Sequence, residues 1–332
     1  MKQFHCRCGS EVFFDSHQCL QCGTQLGFDP TSRAMVALSD RDDLQRCGNG
    51  LEYGVCNWLR PVADDESLCL GCQFNRTIPN LDIPGNPDYW GALEASKKRL
   101  LYTLLGLGLP LVPRWQDPDR GLLFDFLDDA RSNPDIYPDS FVSTGYADGV
   151  ITIHVLEADD VARTQVQVEL KENFRTLLGH FRHESGHYYW STLGDAAQLR
   201  AEFNEVFGDE GTDYSLALKE YYRDGPPDNW PEQFISAYAS SHPAEDWAET
   251  WGHYLHLYDA LETASAQGLS QGDPANMSMA ERIAAWQSLS IAINEVNRSI
   301  GRGDAYPFVI SPAVAAKLEF VDRVIARLRT HW

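Results

Sequence analysis

From Tyr89 to about Leu107 the chain has a helical rhythm: Trp90, Leu93, Leu100, Leu101 and Leu104 are apolar, while Glu94, Lys97 and Lys98 are polar. The rhythm then changes. GLLFDFL at 121–127 and GVITIHV at 149–155 read as strands, and Ala147-Asp148-Gly149 supplies turn chemistry. From 159 onward the pattern is helical almost to the end, with breaks near Gly208–Asp213, Gly225–Pro231 and Gly301–Pro307. Ser311 is the expected N-cap of the last helix, with Pro312 at its first position. Residues 29–46 are polar and read as a linker, and the Pro/Gly break DIPGNP at 82–87 opens the main domain. The predicted fold class is α+β: a mainly helical domain with a small sheet over 85–332, preceded by small modules at 1–28 and 40–80. A chain starting near Asp82 is therefore expected to fold alone.

One predicted helix, from about Phe174 to Leu193, is apolar around most of its circumference and should be buried. Asn173 is its expected cap and Gly194 its stop. It carries His183-Glu184-Ser185-Gly186-His187. His183 and His187 stand one turn apart, so both imidazoles can meet one ion. Glu184 lies about 100° around the helix, where it can reach a water on that ion and act as general base. The competing reading is a buried helix whose histidines make ordinary core hydrogen bonds. Gly179 and Gly186 each cost ~1 kcal/mol of helix propensity, which makes sense if another backbone passes close. His180, one turn before His183, is expected to support the ligands or the core.

A catalytic zinc needs a third protein ligand. The sequence runs on as YYWSTLG, which rules out the metzincin arrangement. Asp213, in GTDY, is a minor candidate. The better one lies in YASSHPAEDWAETWGHYLHL. Pro243 should open a helix capped by His242 or Ser241. Glu245 and Glu249 then stand one turn apart, in the E-x-x-x-E spacing of gluzincin-type sites. Glu245 would ligate zinc and Glu249 would hydrogen-bond a ligand histidine. Against this, Glu245 can be read as a first-turn acid complementing the helix dipole. His253 and His256 are expected in supporting or core positions. Tyr238, seven residues before Glu245, could donate to a developing oxyanion or simply pack among aromatics.

All eight cysteines fall between residues 6 and 72. Cys6, Cys8, Cys19 and Cys22 form two short pairs, each followed by Gly, which suits a zinc ribbon. Cys47, Cys56, Cys69 and Cys72 are spaced more loosely and predict a second structural zinc. Pairing across the two sets stays open. A disulfide framework would need an oxidising compartment, and MKQFHCRCGSEVFF lacks the apolar core of a signal peptide. A cytoplasmic protein is expected.

The chain has 332 residues, 43% of them hydrophobic, with nine Trp, fourteen Tyr and fifteen Phe, enough for a large packed core. No apolar run approaches the ~20 residues of a membrane span. Net charge is −21 with no Lys/Arg run, which argues against nucleic acid as a partner.

Together, CxCG…CxxCG…LGF, CNW…CxxC…TIP, RLLYTLLGLGLP, RTLLGHFRHESGHYYW and AYASSHPAEDWAETWGHYLH give the chain a nearly full-length resemblance to a bacterial family of zinc-binding metallopeptidases with an N-terminal zinc-ribbon region. EDWAETW with its upstream Tyr is similar to the third-ligand region of lethal-factor-type toxin proteases. That similarity implies Glu245 as ligand, Glu249 on a ligand histidine and Tyr238 near the oxyanion. The expectation is one catalytic and two structural Zn²⁺ and a peptide or protein substrate, with neither nucleic acid nor membrane as partner. The alternative is a zinc-ribbon adaptor with a closed structural zinc, which would have no use for Glu184.

Overall fold

The computed structural model describes residues 1–133, 141–170, 176–194 and 196–331. By packing, the chain forms two compact units, Lys2–Gln165 and Val166–Trp332, with Met1 counted in the second.

The first unit holds three short antiparallel pairs: β1 (Phe4–His5) with β2 (Glu11–Val12), β3 (Leu26–Asp29) with β4 (Ala34–Ala37), and β5 (Leu44–Arg46) with β6 (Leu59–Pro61). Residues 29–46 are thus not a linker. Asp29 is buried and turns the β3–β4 hairpin by accepting from Thr31 N and Ser32 Oγ. Two short helices, α1 (Gly48–Glu52) and α2 (Leu70–Gln73), start directly after Cys47 and Cys69. Then come β7 (Asn75–Thr77), α3 (Asn86–Gly106), β8 (Leu123–Leu127), β9 (Gly145–Ala147) and β10 (Val150–His154). The four strands form one sheet in the order β7-β8-β10-β9. The two predicted strands, β8 and β10, lie parallel, and the 147–149 turn instead joins β9 to β10.

The cysteine modules share their core with α3. Phe28 packs on Phe14 and Trp58 with ring centroids 4.8 and 5.0 Å apart, and Tyr102 of α3 lies 5.4 Å from Phe14. Glu94, Lys97 and Lys98 were read as the polar side of this helix, yet all three are buried. Lys97 pairs with Glu94 at 2.8 Å, Glu94 accepts from Asn75 Nδ2 at 2.7 Å, and Lys98 donates to Val55 O at 2.7 Å. A chain cut at Asp82 would lose β7 and every one of these partners outside α3. Buried charges without partners are costly, and α3 shares one compact unit with β7 and the segment that carries Val55.

Helix α4 (Asp160–Leu170) runs across that division. The second unit continues with α5 (Leu177–Ser191), α6 (Ala197–Phe207), α7 (Tyr214–Asp224), α8 (Trp230–Gln233), α9 (Pro243–Ala266), α10 (Met279–Ser299) and α11 (Pro312–His331). The predicted breaks separate α6, α7 and α8, and later α10 from α11. Ser311 caps α11 by accepting from Val314 N at 3.2 Å. Helix α9 is the central element. Its Trp247, Trp251, Tyr254, Leu255 and Leu261 are almost wholly buried. Lys317 of α11 donates to Asp246 at 2.6 Å and ties α11 to it. Among the described residues no helix is long and apolar enough to cross a membrane.

Candidate metal centre

The cysteines gather as the sequence grouped them, into Cys6, Cys8, Cys19, Cys22 and into Cys47, Cys56, Cys69, Cys72. Sulfurs of Cys6 and Cys22 are 3.6 Å apart, those of Cys8 and Cys19 3.7 Å, and those of Cys56 and Cys69 3.6 Å. A disulfide needs about 2.0 Å. Four sulfurs about 2.3 Å from one zinc would stand about 3.8 Å apart. The spacing is that of a tetrahedral metal cage, and the donor chemistry suits zinc. Gly9 and Gly23 adopt positive φ (87° and 72°) and fold each knuckle's amide back onto the carbonyl of Cys6 or Cys19. The second set is fully buried, and Lys98 stands beside it. Burial alone would lower the Lys98 pKa, but the negative charge of Cys56, Glu94, Cys72 and Cys69 raises it. A dianionic four-thiolate zinc centre in an apolar setting needs such a counter-charge.

The third group is built on two crossing helices. Thr176 caps α5 by accepting from Gly179 N at 3.0 Å. The expected cap, Asn173, and Phe174 lie outside the described residues. Midway along α5, a Cβ on Gly186 would come within 3.1 Å of Ala248 Cα and Trp251 Cβ. This is the close backbone approach that an interior glycine permits. Trp247 Nε1 donates to Gly186 O at 2.8 Å and Trp251 Nε1 to Ser185 Oγ at 3.0 Å, which locks the crossing. Gly186→Val should force the helices apart and cost about 2–3 kcal/mol of stability in urea denaturation. Gly186→Ala should cost less, because it regains ~1 kcal/mol of helix propensity.

The crossing sets α9 against the His183–His187 edge of α5. Pro243 opens α9 as expected, and His242 caps it with Nδ1 accepting from Ala244 N at 3.0 Å. Glu245 Oε2 then lies 3.0 Å from His183 Nε2, Glu245 Oε1 lies 3.5 Å from His187 Nε2, and the two Nε2 atoms are 3.2 Å apart. Glu249 Oε1 sits 2.7 Å from His183 Nδ1, and Ser236 donates to Glu249 Oε2 at 2.6 Å. Burial alone would raise the Glu249 pKa, but the hydrogen bond and charge of His183 hold it at about 2. It is therefore a carboxylate that accepts, and Nδ1 of His183 carries the proton. Nε2 of His183 faces inward, toward another imidazole nitrogen and a buried carboxylate, and offers them a lone pair when the ring is neutral. Three such acceptors repel one another unless a cation lies between them. Burial lowers the His183 pKa, yet Glu245 and Glu249 raise it well above its ordinary value. The pocket attracts positive charge. Ligands about 2.0–2.1 Å from a tetrahedral zinc would be about 3.3 Å apart, so the donors fit that ion.

The remaining predicted residues divide clearly. Glu184 is buried, and its charge adds to burial and Glu245 in raising the Tyr214 hydroxyl pKa. The Tyr238 ring lies 6.1 Å from that of His183, and its hydroxyl pKa is raised by burial and then by Glu245. His180 is half-buried and does not join the group among the described residues. His253 bonds Tyr306 OH at 2.8 Å, and His256 packs between Trp286 and Tyr306; both are core residues. Asp213, the minor ligand candidate, instead caps α7 by accepting from Leu216 N at 2.9 Å. Its neighbour Tyr214 reaches the site, donating to Glu245 Oε1 at 2.8 Å. Sequence reasoning missed Tyr214 and Ser236. A Tyr at the first position of a capped helix beside the motif was the one available signal.

Known proteins similar to this chain show its family. A family model described as "Putative zinc-binding metallo-peptidase" matches residues 86–324, and one described as a zinc-ribbon domain matches 3–83. Those boundaries fall between 83 and 86, unlike the packing boundary. "Uncharacterized protein Rv2568c" of Mycobacterium tuberculosis and "Uncharacterized protein Mb2598c" of Mycobacterium bovis are each 43% identical over 334 residues, covering 98% of this chain and 95% of theirs. No solved structure matches. The chain belongs to the zinc-binding metallopeptidase family that carries an N-terminal zinc ribbon.

Proposed function

We propose that the protein is a zinc-dependent peptidase with one catalytic and two structural zinc ions. The observation that carries this reading is the convergence of His183 Nε2, His187 Nε2 and Glu245 on one point, with His183 oriented from behind by Glu249. No fourth His, Cys, Asp or Glu joins them among the described residues, as a catalytic centre with an open position requires. Bound zinc would polarise the scissile carbonyl and bring the pKa of a coordinated water toward about 7. With the ion held by His183, His187 and Glu245, Glu184 would serve as the general base toward that water and would return the proton to the leaving amine. Glu249 keeps His183 in the Nδ1–H form, and Ser236 keeps Glu249 in place. The raised Tyr238 pKa keeps its hydroxyl protonated, so it can donate to the oxyanion.

The substrate is a peptide or protein segment. Net charge −21 disfavours phosphate backbones and anionic membrane surfaces. Cysteines held as zinc ligands suit a reducing compartment, so the site of action is cytoplasmic. The test is incubation of the zinc-loaded chain with an unfolded protein and mass spectrometry of the products. New peptide termini should appear, vanish with 1,10-phenanthroline and return with added zinc. An intact substrate across a broad peptide panel would favour the adaptor reading.

A further inference from the structure

We propose that Tyr214 is a positioning residue for Glu245, and that through it helix α7 is coupled to occupancy of the metal site. The inference rests on reading His183, His187 and Glu245 as ligands.

Tyr214 donates to Glu245 Oε1 at 2.8 Å, while Oε2 stays 3.0 Å from His183 Nε2. The hydroxyl thus engages the oxygen that lies 3.5 Å from His187 Nε2, while the other oxygen stays beside His183. Glu245 is 1% exposed and Tyr214 45%, so the acceptor end of this charge-assisted bond is screened from water while the tyrosine borders solvent. The segment before α7 is fixed to the same helix end that presents Glu245. His242 caps α9 through Nδ1, which leaves its Nε2 to donate to Thr212 O at 3.0 Å, and its ring lies 5.1 Å from Tyr214's.

Helix α7 itself is lightly packed. None of its eleven residues is buried. A helix of that length is marginal in water without packing. Among its anchors are Tyr214 on Glu245 and the Tyr221 ring 5.9 Å from that of Tyr238. An element so lightly packed opens locally at low cost. An ion that fixes Glu245 fixes the acceptor that Tyr214 needs, and so stabilises docked α7. Linkage makes this reciprocal: docked α7 strengthens metal binding by the same factor.

The test is a competitive zinc titration of the full chain with its cysteine sites kept loaded, combined with hydrogen exchange over residues 214–224. Tyr214→Phe should bind zinc at the third site about 10- to 100-fold more weakly with its cysteine-bound zinc unchanged. In the wild type, zinc should slow exchange across α7; in Tyr214→Phe, saturating zinc should not. Leu216→Ala, an exposed change on the same helix, should leave zinc affinity as in the wild type. Equal weakening by Leu216→Ala would mean that general helix stability, and not the hydroxyl, is responsible, and would overturn the assignment. Wild-type affinity in Tyr214→Phe, or α7 exchange indifferent to zinc, would overturn it too. Glu245→Ala separates the two levels. If it keeps the third zinc, the metal site itself is misread; if it loses the zinc while Tyr214→Phe does not, only the coupling fails.

Discussion

Glu184→Gln should lower peptide hydrolysis by about 10²–10⁴ while leaving zinc content and fold intact. That is about 3–5 kcal/mol on the barrier. Glu184 follows His183 directly, about 100° around α5, so it cannot readily share the ion with the two imidazoles. Its charge acts on the Tyr214 hydroxyl together with that of Glu245. Gln preserves size and hydrogen bonding but cannot take a proton from water. The readouts are initial rate on an identified substrate and total zinc on the same sample. An unchanged rate with full zinc would end the general-base assignment.

Glu245→Ala should reduce bound zinc from three ions per chain to two and abolish hydrolysis. Glu245 supplies the carboxylate of the group with His183 and His187 and is buried to 1% exposure. Its loss leaves two imidazoles, fewer than the three protein ligands of catalytic zinc sites. The cysteine cages lie in the other compact unit and should keep their metal. Native mass spectrometry reads both results at once.

Much of this site was legible because short helical spacings encode it. One turn separates His183 from His187 and Glu245 from Glu249, and Pro243 marks where the second helix starts. Which helix faces bury against which neighbours was less legible. Glu94, Lys97 and Lys98 look like a solvated stripe until the second cysteine cage is placed beside them. The parallel β7-β8-β10 arrangement depends on pairings between residues 49 and 27 positions apart, such as Asn75 with Phe124 and Val150 with Leu123, and no local pattern specifies them. Residues 29–46 form strands because Met35 and Ala37 within the segment are buried with a core that includes Phe28, Trp58 and Tyr102. Tyr214 was hidden for a different reason. Asp213 beside it drew attention as a ligand, whereas its role is to start the helix that delivers the tyrosine.

The most direct test is anomalous diffraction at the zinc edge from crystals of the zinc-loaded chain. The account predicts three peaks, one of them about 2.0–2.2 Å from His183 Nε2, His187 Nε2 and a Glu245 oxygen, with no protein side chain in its fourth position. A third site without a peak, or one closed by a fourth protein ligand, would contradict it.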